Sequence, residues 1–534
     1  MGNRRVPFAL ATVLALGASL ALAILLFICV PVGQDGTWYS YPAYAWSQGG
    51  DPSENIPVVM RQNPPPQREV AKFGWENRSN LIVLLTKAWF GISSPSWVSL
   101  KEFGIVQLAA LAFLVGGVTR KLTGDWALAI FSACLVLSDA RILEQALASA
   151  RPDLFISVFA VALLWLLLLA RGSGGWKTWI GAIVLAACLP MLHSTAANAI
   201  AFLVAFLGLV ALADRLYFKS PRSMVLGAVF AGFLLILYFG KQPILDILIP
   251  THVPLSDELP YRHDMVQEME RIVHAGLAAK VSMELNRWRN YFFMGNVAQF
   301  LTIATGLILA VVLFKRRRQS PTIATALALF VAFICAVSSL FLFDSHPMVP
   351  HALVVAVFGY VGSIALLRAA SQGGLFTSSQ LKAGCAAALL VAGAGNALHA
   401  ARLYRDYSVP NVTNAAEQTA LLHALPATGD VRVIGPTEIW PYLAQRKQPL
   451  ILIDDDRASF GRVGGNRPEE VDPNYAGAGY LVVNKELFTT WQWDRMIDDW
   501  IGQHLIVKVS ELGDCTRTVE CLRIYAFVSG PHAS

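Results

Sequence analysis

The sequence predicts a polytopic α-helical membrane protein with a small α/β domain at its C-terminal end. Three observations predict it. Apolar stretches of membrane-spanning length recur through residues 1–402, basic residues fall on alternate turns between them, and residues 403–534 change to short β-like runs. Composition agrees: 55% of the 534 residues are hydrophobic and 15% charged, with a mean hydropathy of +0.51. That is too apolar, and too clustered, for an ordinary soluble protein. The net charge of +6 sits in short clusters between apolar runs. It is read as membrane topology, and no nucleic-acid partner is expected.

The chain opens MGNRRVPFALATVLALGASLALAILLFICV, with Arg4 and Arg5 ahead of the apolar run. This run exceeds the roughly 7–15 residues of a signal-peptide core, so an uncleaved span near 7–32 is expected. Further spans are expected near 104–119, 125–138, 154–170, 178–192, 196–213, 224–240, 298–314, 322–343, 349–367 and 383–400. That makes about eleven transmembrane helices, the shorter ones sheltered inside a bundle. With the N-terminus cytoplasmic, the even-numbered spans exit into basic turns. These are Arg120 and Lys121; Arg171 and Lys177; Arg215, Lys219 and Arg222; Lys315 to Arg318; and Arg368 with Lys382. This is the positive-inside pattern, and an odd count leaves the C-terminal domain outside. The expected location is a bacterial inner membrane, crossed many times.

The outer face is then built from loops 33–103, 138–153 and 241–297 and from the extracytoplasmic domain 403–534. In that domain DVRVIG, PLILIDDD, GYLVVN, LIVKV and LRIYAFV are strand-like, with helical stretches between them. Cys29, Cys134, Cys188, Cys335 and Cys385 lie in apolar runs, where a thiol behaves as a small hydrophobe. Cys515 and Cys521 stand apart and can pair if their side is oxidising. Asp454-Asp455-Asp456 after PLILI reads as a strand-end acidic turn. Asn411-Val412-Thr413 fits a glycosylation sequon, a pattern frequent by chance that says nothing about catalysis.

Several charged residues on this face are candidates for chemistry. Asp35, in QDGTWYSYPAYAWSQGG, follows the first span among tryptophans and tyrosines. An interfacial belt accounts for the aromatics; the acid is either a solvated loop residue or a general base at the membrane surface. In SARPDLF, Pro152 and Asp153 suit a helix start, the carboxylate facing the positive end of the dipole. Arg151 adds a cation at that mouth, where an anion can meet it. Asp139, Arg141 and Glu144 either form a surface charge network or serve the site. Glu76 either pairs with Arg78 or serves the site. FDSHPMVPHAL places Asp344, His346 and His351 at a helix boundary, and its interrupted His spacing argues for a phosphate or hydroxyl contact rather than zinc. In loop 241–297 most of the arginines are expected to pair with neighbouring acids, with Arg287 and Arg289 nearer to an anionic head group.

Taken in order, these features resemble the GT-C superfamily of polyprenyl-phosphate-sugar-dependent glycosyltransferases, among them the bacterial relatives of protein O-mannosyltransferases and lipid A aminoarabinose transferases. QDGTWYSYPAYAWSQGGDP resembles the first outer loop, with its acid just after span one. WENRSNLIVLLTKAWFGISS resembles the acid ahead of an apolar helix before span two. RKLTGDWALAIFSACLVLSDARILEQALASARPDLFISVFAVALLWLLLLAR has the basic hinge, short span, polar outer loop and R-P-D entry in family order. FDSHPMVPHALVVAVFGY resembles the late outer turn. The likeness covers roughly residues 1–370. It departs at Gly36, where members often carry a second acid, and at Asn77, where aminoarabinose transferases carry a Lys.

The resemblance implies transfer of a sugar from a polyprenyl-phosphate donor to a hydroxyl on a lipid, glycan or protein acceptor, at the outer surface of the bilayer. Asp35 is then the general base. Asp153, Glu144, Glu76 and Asp139 are candidates for a second acid that orients the acceptor or binds a divalent metal (Mg or Mn). Arg151, Arg287, Arg289 and His346 are candidates for the donor phosphate, which a guanidinium fork matches. The alternative is a transporter or flippase of a lipid-linked or small solute. The absence of an internal repeat and the few charges inside the spans weigh against it.

Overall fold

The computed structural model describes residues 6–49, 81–149, 151, 153–172, 175–192, 195–214, 221–240, 276–293, 295–317, 320–344, 348–408, 412–426, 431–446, 450–453, 478–485, 493–515 and 521–528. A helix stands at each of the eleven predicted span positions: α1 (Val6–Ile28), α4 (Trp97–Thr123), α5 (Trp126–Leu137), α7 (Asp153–Gly172), α8 (Trp176–Leu192), α9 (Ala196–Ala213), α10 (Pro221–Gly240), α12 (Val297–Phe314), α13 (Pro321–Phe343), α14 (Val349–Gln372) and α15 (Ser378–Ser408). Eight are individually long and apolar enough to cross a membrane. The short α5 bends by 53° into α6 (Ala140–Glu144), which ends in a π turn, Gln145–Ser149. Helices α2 (Gln34–Ser47) and α11 (Leu277–Phe293) and the short apolar α3 (Leu81–Phe90) complete the bundle.

Local chemistry sets the helix ends. Ser96 caps α4 by accepting from the Ser99 amide, and Gly124 ends it in the left-handed region at φ 66°. Asp125 and Ser320 cap α5 and α13 in the same way. At one end of the bundle the basic turns meet: Arg171 Nη2 lies 2.5 Å from Asp214, Arg316 donates to Gly373 O, and Arg368 donates to Thr123 O. Helices α2, α3 and α11 and the charged side chains of interest gather at the other end.

Helix α14 is the axis. Its apolar window is 89% buried, whereas that of α1 is 28% buried. Small residues let its neighbours close in: a Cβ on Gly306 of α12 would lie 2.1 Å from Ser363 Oγ, and one on Gly362 would meet the Phe330 backbone at 3.3 Å. The tightest approach is elsewhere. A Cβ on Gly104 of α4 would stand 1.8 Å from Ala146 O in the π turn. Backbone cannot swing aside as a side chain can, so Gly104→Val is expected to displace this turn and lower the thermal midpoint of the detergent-solubilised protein by several degrees. A midpoint within one degree of wild type would show that the two segments slide apart freely.

The C-terminal strands β1 (Arg432–Pro436), β2 (Leu450–Ile453), β3 (Ala478–Asn484), β4 (Ile506–Leu512) and β5 (Leu522–Phe527) form one sheet in the order β2-β1-β3-β5-β4. β1 runs parallel to β2 and β3, while β5 pairs antiparallel with β3 and β4. Helices α16 (Asn414–Ala424), α17 (Trp440–Leu443) and α18 (Trp493–Gly502) accompany it. Thr413, from the sequon, caps α16 by accepting from the Ala416 amide. Cys515 and Cys521 are disulfide-bonded. The Asp454–Asp456 turn lies outside the described residues.

Candidate active site

The site's floor is the kinked segment between α5 and α7. Asp139 caps α6 and is wholly buried. One carboxylate oxygen accepts from the amides of Arg141 and Ile142 and from Asn296 Nδ2 at 2.6 Å. The other accepts from the hydroxyls of Tyr291 at 2.9 Å and Tyr360 at 2.7 Å. Asn296 returns the favour by accepting from the Ala140 amide. Five donors on four elements thus converge on one buried carboxylate, which satisfies a charge that could not otherwise be buried. Burial, followed by the charge of Asp139, pushes the Tyr291 phenol well above its usual range, so it remains a donor at any working pH. The surface network expected of Asp139, Arg141 and Glu144 therefore divides. Arg141 pairs with Glu144 at 2.6 Å and donates to Asn290 O, and His399 of α15 lies 3.4 Å from Glu144.

The R-P-D entry has the form expected of a helix start, and more. Asp153 opens α7 with its carboxylate buried; Arg151 Nε stands 3.0 Å from one oxygen and Thr195 Oγ1 donates to the other at 2.9 Å. Arg151, itself 4% exposed, also reaches Met348 Sδ at 3.9 Å. A second buried cluster joins α11 to the turn between α13 and α14. Asp344 Oδ2 takes Arg287 Nη2 and His351 Nδ1, each at 2.7 Å, while Lys280 Nζ donates to Asp344 O. Glu284 sits 3.2 Å from Arg287 on the same helix. Arg287 is fully buried in this pairing, and Arg289 is exposed.

Helix α2 closes the site. Its backbone starts where the Gly33 amide donates to Ala148 O at 2.6 Å, so the first turn, which carries Asp35, rests on the end of the 145–149 turn, just ahead of Arg151. Along its length Lys87 of α3 lies 3.5 Å over the Trp46 ring. The Asp35 side chain, Glu76 and His346 lie outside the described residues.

Bonds of long sequence separation are what the sequence does not announce. Tyr291, Tyr360, Asn296, Thr195 and Lys280 carry no motif. Lys101 is another: fully buried at the start of α4, its Nζ donates to the carbonyls of Leu26, Phe27 and Val30 at the end of α1. A lysine in the second turn of a helix that continues into an apolar span was the available signal. It marks a helix C-terminus that needs a cation.

The described residues contain no trio of His, Cys, Asp or Glu placed to hold a metal ion. Asp139 and Asp153 each have both oxygens taken by protein donors.

Among solved structures, ArnT from Cupriavidus metallidurans in the apo state aligns with TM-score 0.50 at 14% identity, over 96% of this chain and 97% of that one. ArnT bound to undecaprenyl phosphate aligns with TM-score 0.50 at 13% identity, over 97% and 98% of the two chains. The chain has the GT-C fold. The alignment extends past the bundle into the C-terminal sheet. The archaeal oligosaccharyltransferase AglB from Archaeoglobus fulgidus, in complex with an inhibitory peptide and a dolichol-phosphate, aligns with TM-score 0.49 at 12% identity, over 95% of this chain and 73% of that one. No protein-family model and no curated protein sequence matches. Within the bundle, the predicted residues Asp139, Glu144, Arg151, Asp153 and Arg287 stand at one end, in four groups.

Proposed function

We propose that the protein is a membrane glycosyltransferase that moves a sugar from a polyprenyl-phosphate donor to a hydroxyl acceptor, with Asp35 as general base. The observation that carries this reading is the seating of the first turn of α2 on the 145–149 turn, beside the Arg151–Asp153 entry to α7. A carboxylate and a cation thus share one end of a GT-C bundle, where a lipid-borne donor presents its head group. The bilayer holds the prenyl tail, which gives the chemistry a reason to be membrane-embedded.

In the step, the acceptor oxygen attacks the anomeric carbon while its proton passes to the Asp35 carboxylate. The bond from the anomeric carbon to the phosphate oxygen breaks, and polyprenyl phosphate leaves with the electron pair. Asp35 is at ordinary strength a weak base and becomes competent by being held beside the hydroxyl in a half-dry site. Arg151, beside Asp153, and Arg287, beside Asp344, supply positive field to the leaving phosphate; Glu144 and Asp153 orient the acceptor side, and Asp139 holds the frame. In this reading, this end of the bundle and the C-terminal domain face away from the cytoplasm, as the positive-inside pattern of the basic turns supports.

The test is native mass spectrometry of the purified protein followed by an assay with polyprenyl-phosphate-linked sugars. The expected result is a co-purified mass matching a polyprenyl phosphate, and sugar release that depends on an added hydroxyl acceptor. Protein that moves such a lipid across a vesicle bilayer without releasing sugar would overturn the reading in favour of a flippase.

A further inference from the structure

Helix α2 is poorly equipped to hold itself. Its sequence, QDGTWYSYPAYAWS, has Gly36 in the first turn, Pro42 in the interior and aromatic or β-branched residues at half of the remaining positions. Pro42 has no amide to offer the carbonyl one turn back. Its 14 residues are near the lower limit for an isolated helix even of good formers. Its stability must come from what touches it: α3 and the 145–149 turn on one side, and the C-terminal domain, through Trp440 and Ala444, on the other.

Trp440, the first residue of α17, is wholly buried against α2. Its Nε1 donates to Thr37 O at 2.9 Å, on the first turn of the helix. Its ring stacks on Tyr44 at 4.8 Å with the planes 18° apart, and meets Phe90 of α3 edge-on at 6.1 Å. Tyr44 Oη in turn donates to Ala444 O. The domain behind Trp440 is itself pinned. Asn414 Nδ2 is within bonding distance of the carbonyls of Phe27, Ile28 and Val30, at 3.1, 2.9 and 3.0 Å, where α1 hands over to α2. Tyr442 Oη holds the other side of that amide at 2.7 Å, and Trp97 Nε1 donates to Gln418.

We propose that the C-terminal domain is a clamp on α2, with Trp440 the positioning residue that sets the first turn of the helix and so the place of Asp35. The proposal rests on Asp35 acting as the base. The domain's part in it is mechanical: it supplies the tertiary contacts that a Gly- and Pro-containing helix lacks, at both the start of the helix and its third turn.

The test compares wild type with Trp440→Ala, Trp440→Phe and Asp35→Ala as full-length protein in nanodiscs. Amide hydrogen exchange is read over residues 34–47, with α7 as internal control, together with transfer kinetics on polyprenyl-phosphate-linked sugar. Trp440→Ala is expected to speed exchange over 34–47 at least ten-fold with α7 unchanged, and to lower kcat at least ten-fold with donor KM within three-fold. Trp440→Phe, which keeps the stack and loses the N–H, is expected to restore most of both. Exchange unchanged over 34–47, or raised equally in α7, overturns the clamp. Faster exchange confined to 34–47 beside undiminished transfer by Asp35→Ala upholds the clamp and overturns the base. Where no transfer is measurable in wild type, the exchange result alone decides the clamp.

Discussion

Asp35→Asn is expected to lower sugar transfer by about 100- to 10,000-fold, the range lost when a positioned general base is removed. The substitution is nearly isosteric. At the second position of α2 it removes one negative charge from a helix start, worth about 0.3–1 kcal/mol. The bundle should therefore unfold at nearly its wild-type temperature, and the loss will appear in turnover. Donor binding should survive, because the phosphate and prenyl tail do not depend on the carboxylate. Measured together, an unchanged thermal midpoint, retained polyprenyl phosphate and lost turnover identify a base. Transfer within three-fold of wild type would sink the assignment and return Asp35 to the interfacial belt.

The second large effect belongs to Arg151 and Asp153. Both are buried, so Arg151→Ala leaves a carboxylate without its cation, and such breakage costs about 3–5 kcal/mol. A fall in activity in that variant alone would be uninformative, since the helix entry itself is damaged. The double change Arg151→Met with Asp153→Leu removes both charges and keeps the volume. Paired apolar replacement of a buried ion pair is often neutral or stabilising. The double variant is therefore expected to recover most of the thermal midpoint lost by Arg151→Ala. If Arg151 also serves the donor phosphate, that stable variant will still show a donor KM raised more than ten-fold. A double variant with wild-type kinetics would restrict Arg151 to the helix entry.

The spans were legible because the demand that lipid places on a helix is written locally. Length, apolarity and the alternation of Arg and Lys are visible without knowing any neighbour, and even the two shortest spans have their helices, α5 and α8. Asp153 was legible for a similar reason, being a helix-start residue in its own turn. Its partner Thr195 was not, since that bond joins residues 42 apart in sequence. The same limit hid the Asp139 hub, whose tyrosines come from 152 and 221 residues away. Arg287 was legible as a cation on an outer loop, whereas its bond to Asp344, 57 residues on, was not. Trp440 was not legible at all: a tryptophan in a polar C-terminal region looks like domain core until α2 is set against it.

The burial of α14 has a consequence for how the protein meets bilayers of different thickness. A mismatched membrane acts on helices it touches, tilting them or thinning around them, at a modest cost for each ångström. α1, with little of its surface buried, takes that stress directly. α14 is ringed by protein and touches almost no lipid. It carries Tyr360, which fixes Asp139, and His351, which meets Asp344. The spacing of those two clusters is thus insulated from the solvent that the other helices must satisfy.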